Sequence, residues 1–520
     1  MKKLTLLFIT AIFCTSIAYS QASASFGYDR DIVMEDLNEY VRLIGADSDG
    51  FYALRIDAKD NLFLEFFNGA TMNRESTNQL ILPMVGGINS EYVAMFYLDS
   101  KLILFTQVVN NTIKEKSLYI QHVNKSGQII GEPTLIGKLT NQNISVDFNV
   151  ELTPNQQNMF VYYSRPFQTY NEEPFFFKVY DSNMKEIYNN TIKLPLIDDA
   201  FDIIQYKISN KGNIYMLAKI DPDARRAKRM KEIIYDYKLL VFDNTTKLVE
   251  QYEIKGKKYI LVDAIFGLDD NENVDIYGFL VRKGKTNYEG IYHQKLNTQT
   301  KEFEISSDTK QSDYMFAKTE TPDFRSERLL KFYDEMYNYK LLDVLQLSNG
   351  GSVVIAEHSN HWVDSIIVPG SKEVIYNNYD MYNDVLVAYC SAENNMEWMT
   401  RIPKSQYSYD YKGELFSSVA YTAVGEKVFL FYNDHKKNVK LLEQQNLDGY
   451  EYKSITAPDR KGMAVVVSIF SDGKVHGTTL FTKKNKNYKI IPELMKDFNY
   501  KYYMCTQNGA KIKFALFTGQ

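Results

Sequence analysis

Glu357, His358 and His361 are the residues of this chain whose types and spacing come closest to a metal site. Two imidazoles three residues apart can share a metal ion if the backbone turns helical there, and Glu357 or Asp364 could supply an oxygen ligand. These three residues are therefore candidate zinc ligands. The competing interpretation is an exposed loop of a sheet that carries two histidines beside Trp362 by chance.

Calcium could bind at either of two acidic runs, Asp47-x-Asp49 and residues 269–273. The second run begins like an EF-hand loop, but Val274 stands where that loop needs glycine and Leu280 where it needs a bidentate carboxylate. Asp and Asn also bond to their own backbone in tight turns. Turn chemistry is therefore the favoured interpretation, and a bound Ca²⁺ ion is the alternative.

Short catalytic motifs are absent from the sequence. It contains no G-x-S-x-G, no G-x-x-x-x-G-K-[ST], no G-x-G-x-x-G and no H-E-x-x-H. These absences count against the common hydrolase and nucleotide-binding classes. They leave glycosidase and lyase chemistry open, because scattered carboxylates can carry those reactions without a local motif. A non-catalytic protein is the favoured expectation.

Two segments between apolar runs predict helical insertions, at about residues 222–235 and 322–338. The first has an Asp-Pro start and a dense basic face, and the second has apolar and aromatic residues at helical spacing. Loops on a rigid scaffold often carry recognition, and Arg and Tyr are frequent at interface hot spots. We therefore predict that a partner contacts Arg225, Arg226, Arg229, Phe332 or Tyr333. The alternative is that both helices only cover the rim of the fold.

The elements that would position these residues are short strands in a recurring unit. Each unit reads as an apolar strand, a Gly/Asn/Asp turn and a second apolar strand, followed by a looser hairpin. Eight units cover Val41–Leu82, Glu91–Ile136, Val146–Pro195, Phe201–Ile254, Ile260–Ser307, Leu341–Ile402, Ser417–Ile455 and Ala464–Phe517.

This repeat predicts an all-β fold, a single closed β-propeller of about eight four-stranded blades. Seven blades remain the alternative, if the first or last unit contributes only closure strands. A β-sandwich array is the other architecture built from short, evenly spaced strands. It would need linkers, and the 12 prolines are spread thinly along the chain. Alternation within the strands predicts six residues facing the core: Val353, Ile355, Val428, Leu430, Val465 and Val467.

Residues 1–20 predict a secretory signal peptide, which leaves residues 21–520 as the propeller domain. Lys2 and Lys3 precede a short apolar stretch, and a small-x-small cleavage signal ends at Ser20. Lipidation at Cys14 is the alternative, but the bulky Phe13 precedes that cysteine. No later run of about 18 apolar residues is present, so we expect no transmembrane segment.

The net charge and the cysteine content limit which partners and which redox environment we expect. Removal of Lys2 and Lys3 takes the formal charge from −5 to −7, which disfavours nucleic acid as a partner. Cys390 and Cys505 remain after cleavage. They could pair in an oxidising compartment, but their apolar surroundings favour two buried thiols.

Two segments, Trp398–Gln406 and Phe431–Asn438, resemble a pairing found in exported Gram-negative envelope proteins that look like β-propellers and have no assigned activity. The resemblance covers about 40 residues and transfers no catalytic residue. The residues predict that Phe431-Tyr432 ends a strand and that Asn433-Asp434 turns it. Lys436–Asn438 then leads to Val439–Leu442.

The resemblance implies a place in the cell envelope, since some proteins of this type are accessory or plug subunits of outer-membrane export channels, including the type IX machinery. We therefore expect an exported protein of the periplasm or the outer-membrane periphery, with an extracellular location as the alternative. The expected function is a non-catalytic interaction scaffold with a protein partner and no cofactor. A glycan-acting enzyme and a sugar- or peptide-binding module are the alternative functions.

Overall fold

The computed structural model describes residues 24–26, 32–33, 39–164, 172–197, 201–220, 235–255, 259–281, 288, 290–304, 339–367, 374–409, 414–443, 453–456, 462–481, 484–498 and 501–518. The predicted signal peptide and, apart from Tyr235, both predicted helical insertions lie outside these ranges.

Strands dominate the described chain, and most of them form consecutive four-stranded antiparallel sheets. Two N-terminal strands come first, β1 Ala24–Phe26 and β2 Ile32–Val33. Sheet 1 contains β3 Glu39–Ala46, β4 Gly50–Ile56, β5 Leu62–Asn68 and β6 Arg74–Leu80. A small ribbon follows, β7 Met84–Val85 with β8 Ile88–Asn89. Sheet 2 contains β9 Glu91–Leu98, β10 Lys101–Asn110, β11 Glu115–Val123 and β12 Ile129–Thr140.

The next three sheets repeat this order. A 3₁₀ turn, Asn141–Ser145, precedes sheet 3. Sheet 3 contains β13 Asn149–Leu152, β14 Met159–Ser164, β15 Glu172–Tyr180 and β16 Glu186–Ile197. Sheet 4 contains β17 Phe201–Ile208, β18 Ile214–Ile220, β19 Asp236–Phe242 and β20 Val249–Ile254. Sheet 5 contains β21 Ile260–Leu268, β22 Val274–Val281, β23 Gly290–Asn297 and β24 Glu302–Phe303.

The C-terminal sheets carry additional elements. Sheet 6 contains β25 Tyr339–Gln346, β26 Ser352–Ile367, β27 Val374–Cys390, β28 Met396–Ile402 and β29 Gln406–Tyr409. Sheet 7 contains β30 Ala420–Val424 and β31 Lys427–His435, then helix α1 Lys436–Glu443, β32 Ile455–Thr456 (which joins sheet 6), β33 Gly462–Ile469 and β34 Val475–Thr479. Sheet 8 contains β35 Lys489–Ile490, β36 Lys496–Phe498, β37 Lys501–Asn508 and β38 Lys511–Phe517. Two 3₁₀ turns, Glu414–Phe416 and Pro492–Leu494, lie in the connections.

The hairpin turns explain why Gly, Asn and Asp punctuate the sequence. In the turn 209–213, the Ser209 N–H donates to the Asn213 carbonyl at 2.9 Å and the Gly212 N–H donates to the Ser209 carbonyl at 3.0 Å. The fourth residue has a left-handed φ of 84°, which glycine adopts without strain. The turns at 57–61 and 269–273 repeat both bonds, and their aspartates also accept backbone N–H groups.

Apolar residues alternate along each strand toward the two neighbouring sheets. Phe51 of β4 packs toward sheet 8, whereas Tyr52, its neighbour in the strand, packs toward sheet 2. Seven apolar clusters each join one sheet to the next along the chain. An eighth joins sheet 8 to sheet 1, where the Phe51 and Phe514 ring centroids lie 5.1 Å apart. Strands buried on both faces account for the nearly continuous apolar runs in the sequence.

The predicted core residues are confirmed. Val353, Ile355, Val428, Leu430, Val465 and Val467 are all buried and share the cluster between sheets 6 and 7. Cys390 of β27 and Cys505 of β37 are both buried free thiols.

The boundary predicted between the last two repeats was wrong. The strand that begins at Ala464 was expected to open an eighth unit, but it is the third strand of sheet 7 and pairs with β31 and β34. Asn433 and Asp434 lie within β31 rather than in a turn, and Val439–Leu442 belongs to helix α1. That helix buries Val439 and Leu442 against sheet 7, so helical spacing, not alternation, placed these two apolar residues inward.

The sheets have two distinct ends. At the turn end, tight turns join first to second and third to fourth strands, and turns of neighbouring sheets bond to each other. The Asn155 N–H donates to Asn210 at 3.1 Å, and the amide of Asn213 donates to Glu272 at 2.8 Å. At the insertion end, the longer connections begin and end, including both predicted helical insertions. No helix among the described residues is long and apolar enough to cross a membrane.

Candidate functional site

A projecting hairpin at the insertion end, which we call the arm, is formed by residues 359–367 of β26 and 374–382 of β27. Pairing of β25 with β26 stops at Tyr339 and His358, and the hairpin continues for nine residues on each strand. At about 3.4 Å per residue, the arm is about 30 Å long. Its base is braced by β29, which pairs with residues 379–382 of β27.

Aromatic rings share one face of the arm near its base. Trp362 and Tyr379 occupy directly opposite positions, and their rings stack with centroids 5.2 Å apart. Tyr409 of β29 continues this row, with its ring centroid 5.1 Å from that of Tyr379. Its hydroxyl donates to Asn377 at 3.1 Å. These cross-strand contacts stiffen a ribbon that would be marginal as an isolated hairpin.

A buried ion pair lies below the arm, between sheets 6 and 7. The Lys404 ammonium is 2.6 Å from Glu357 Oε1, and both side chains are almost completely buried. Lys404 also donates to the Tyr382 carbonyl at 3.0 Å and to Gln406 Oε1 at 3.1 Å. Ser418 donates to the second oxygen of Glu357 at 2.6 Å. The pair therefore joins the base of the arm to the connection that enters sheet 7.

Asn433 extends this polar network into three segments of backbone. Its side-chain amide donates to the carbonyls of Phe416 and Ile490, both at 2.8 Å, and its oxygen accepts the Ile490 N–H at 3.0 Å. Its own carbonyl accepts the Gln406 amide at 2.8 Å. One buried asparagine thus links sheets 6, 7 and 8 at the insertion end.

Asp434 is a fully buried acid near the end of β31, two residues before α1 begins. Burial raises its pKa to about 7, although bonds from Asn438 and the His435 N–H, and the charge of Lys404, act in the opposite direction. Oδ1 accepts from the Asn438 amide at 2.8 Å and from the His435 N–H at 2.7 Å. Asn438 in turn bonds to both backbone groups of Lys453, which fixes the return of the chain after α1.

The three candidate zinc ligands have separate partners. The backbone from 352 to 367 is a strand and not the helical turn that a shared metal would need. Glu357 pairs with Lys404, the His358 ring lies 5.2 Å from that of Tyr339, and His361 Nδ1 is 2.7 Å from Asp380. Burial lowers the pKa of His358. Within the described part of the chain, no three His, Cys, Asp or Glu residues are grouped to hold a metal ion.

The acidic runs have the hydrogen bonds of turns. Asp47 accepts the N–H groups of Asp49 and Gly50 at 2.8 and 3.0 Å, and its second oxygen accepts the Tyr97 hydroxyl. Asp269 accepts the N–H groups of Asn271 and Asn273 at 2.9 and 2.8 Å. These bonds support turn chemistry at both runs.

The five predicted partner-binding residues, Arg225, Arg226, Arg229, Phe332 and Tyr333, lie outside the described residues. Their segments connect β18 to β19 and β24 to β25, so both begin and end at the insertion end. They therefore start and finish on the same side of the fold as the arm.

Exposed apolar side chains also concentrate at the insertion end. Thirteen large apolar side chains are exposed among the described residues, and eight of them belong to connections or the arm at this end: Ile81, Met84, Ile113, Val363, Val374, Ile375, Tyr376 and Leu415. Four of the eight lie on the arm, and neighbouring exposed apolar residues of this kind are typical of an interaction surface.

Sequence reasoning missed the buried polar network. Five of its members, Lys404, Gln406, Asn433, Asp434 and Asn438, fall in the two segments that carried the family resemblance, and the structure brings those segments together. The signal in the sequence that could have indicated this network was a group of polar residues next to a strongly apolar strand. Asn433 and Asp434 read as a turn from the sequence, because single-sequence patterns do not show which distant backbone groups need partners.

Comparison with known proteins gives no family. No family model matches the chain, and no curated protein matches it. Solved structures similar to it include an uncharacterized protein, lmo1340, from Listeria monocytogenes EGD-e, at 10% identity and a TM-score of 0.36, covering 83% of this chain and 95% of that one.

Two further similar structures are described as propellers. The β-propeller domain of the Trilobed protease from Pyrococcus furiosus has 9% identity and a TM-score of 0.30, covering 71% of this chain and 98% of that one. The Dos1 propeller has 10% identity and a TM-score of 0.31, covering 78% and 90%. At these values, similarity transfers neither a blade number nor an activity, so the interpretation depends on the sheets and contacts of the chain itself.

Proposed function

We propose that this protein is a closed eight-bladed β-propeller that acts as a non-catalytic interaction scaffold in the cell envelope. The cyclic order of the apolar clusters supports the ring, because the contact between sheets 8 and 1 follows the same pattern as the seven others. The strands from Lys489 onward form a sheet of their own, separate from sheet 7. This separation supports eight blades rather than seven.

The observation that carries the scaffold function is the concentration of exposed apolar residues, the arm and the long connections at one end. The buried polar groups below the arm support the same function, because their hydrogen bonds position backbone. Lys404, Glu357 and Asn433 each bond to partners that fix the arm or its neighbours. We infer that a protein partner binds this end, as an accessory subunit of an envelope assembly would require.

An affinity experiment tests this function. The tagged protein is purified from envelope extracts in mild detergent, and co-purifying proteins are quantified. We expect a stoichiometric partner with the unmodified chain and at least a tenfold loss with Val363→Ser, Ile375→Ser and Tyr376→Ser combined, since these residues are exposed on the arm.

The matched control replaces the same number of exposed apolar residues elsewhere. Ile130 and Leu135 lie on β12 and Leu248 in a turn at the turn end, and their exposed fractions are 54%, 51% and 63%. The triple serine variant at these positions should retain the partner. Equal loss in both variants, or a protein recovered as a free monomer, would overturn the assignment.

A further inference from the structure

The last strand of the fold accepts a strand from the opposite end of the chain. One edge of β38 pairs with β37, and its other edge pairs with β1 and β2. In the register, Ala24, Ser25 and Phe26 lie opposite Phe517, Leu516 and Ala515. The outer edge of sheet 8 is therefore filled by a segment that precedes sheet 1.

The strand that receives this segment is deeply buried. Ile512 and Phe514 pack toward sheet 1, and Ala515 and Phe517 pack toward sheet 7. A strand with both faces covered cannot leave its outer edge unpaired without exposing a row of backbone donors and acceptors beside apolar surface. The edge of β38 is thus a preformed site for an extended segment.

The described parts of the resident segment, β1 and β2, make short pairings with this site. Three residues of β1 and two of β2 are in register, and strands in globular proteins commonly have about 5–6 residues. Between the two pairings, the register advances six residues along the segment, from Phe26 to Ile32, but three along β38, from Ala515 to Ile512. The two described pairings therefore do not share one continuous register along β38, and each is short.

We propose that the edge of β38 is an exchangeable strand-binding site, which β1 and β2 of the same chain occupy and which can take the same segment from a second copy. Extended segments add to sheet edges through backbone hydrogen bonds. Residues 34–38 join the segment directly to sheet 1, so the tether provides a local concentration of the order of millimolar. The intramolecular pairing wins until that tether is cut. This proposal is independent of the scaffold function.

A nicked protein tests the proposal. A protease site is placed within residues 34–38, the full chain is folded, and it is then cut. A fluorescent synthetic peptide of residues 21–35 is added, and fluorescence anisotropy is followed. We expect the peptide to bind the cut protein and displace the resident segment, with at least tenfold weaker binding to the uncut protein and none for a scrambled peptide.

A locked variant keeps the result interpretable. Ser25 and Leu516 are opposite each other, and the spacing of directly paired residues, about 4.5–5.5 Å, suits a disulfide. Ser25→Cys with Leu516→Cys should block peptide uptake after cutting when oxidised and restore it when reduced. If the cut protein keeps its circular dichroism but takes up no peptide, or binds the scrambled peptide equally, the proposal is wrong.

Discussion

Asp434 shows how a single buried group can make stability depend on pH. Its folded pKa of about 7 exceeds the ordinary aspartate value of 3.8, so between these two pH values the folded protein binds a proton that the unfolded chain has released. Stability due to this group therefore falls as pH rises from about 4 to about 7 and stays constant above that range.

We predict that Asp434→Asn removes this dependence. Asparagine keeps an oxygen for the Asn438 amide and the His435 N–H but cannot ionise. The variant should equal the unmodified protein in stability near pH 4 and exceed it by up to about 4 kcal/mol at pH 8. Urea unfolding at both pH values measures the difference, and a difference that does not change with pH would contradict the prediction.

The ion pair of Lys404 and Glu357 gives a second prediction at this scale. Lys404→Met leaves Glu357 buried without its cation and should cost about 3–5 kcal/mol. Adding Glu357→Gln to that variant should recover part of the loss, because the uncompensated charge disappears. Lys474→Met is the control, since Lys474 and Asp472 form an exposed pair and such pairs contribute little to stability. Equal costs for Lys404→Met and Lys474→Met would show that burial does not matter here.

The alternation of apolar residues along a strand predicts which side chains face the core, and Leu430 offers a direct test of that prediction. It is completely buried between sheets 6 and 7. Leu430→Ala should lower the free energy of unfolding by about 2–5 kcal/mol in denaturant titration. A loss below about 0.5 kcal/mol, typical of surface positions, would mean that this face of β31 does not pack as described.

At the scale of elements, tight turns and strands could be predicted well because their signals are local. Positions such as Gly212 and Asp269 mark hairpins through backbone geometry and side-chain bonds within five residues. The predicted boundary between sheets 7 and 8 was wrong because α1 interrupts sheet 7 between its second and third strands. The buried polar network could not be predicted for another reason. The backbone groups that bond to Asn433 lie 17 and 57 residues away in the sequence, so no local pattern reveals them.

Two glycines separate the effects of backbone strain and crowding in these turns. Both have positive φ, 84° at Gly212 and 61° at Gly509. A Cβ at Gly212 would lie 2.8 Å from the Tyr188 ring, whereas one at Gly509 meets nothing within 4 Å. Thermal unfolding should therefore show a larger loss for Gly212→Ala than for Gly509→Ala, which should cost about 1 kcal/mol. Equal losses of stability in the two variants would show that the positive φ, and not crowding by Tyr188, causes the destabilisation.

At the scale of the molecule, apolar clusters between every pair of consecutive sheets predict one cooperative body. Limited proteolysis should cut first near residues 225–231 and 323–328, because insertions open more easily than packed strands. The fragments should stay associated in gel filtration under native conditions. Early release of a stable fragment of about 150 residues would instead indicate separate domains.

The hydrogen bonds between neighbouring turns also determine where this chain can accept inserted residues. A residue added beside Asn213 would pull its amide away from Glu272, and one added beside Asn155 would break the contact with Asn210. The connection between β22 and β23 leaves and re-enters sheet 5 at the opposite side, away from these bonded turns. Fusion tags, epitopes and newly acquired sequence should therefore be tolerated on one side of the body and rejected on the other. New recognition can arise there by loop replacement while the packed strands stay unchanged.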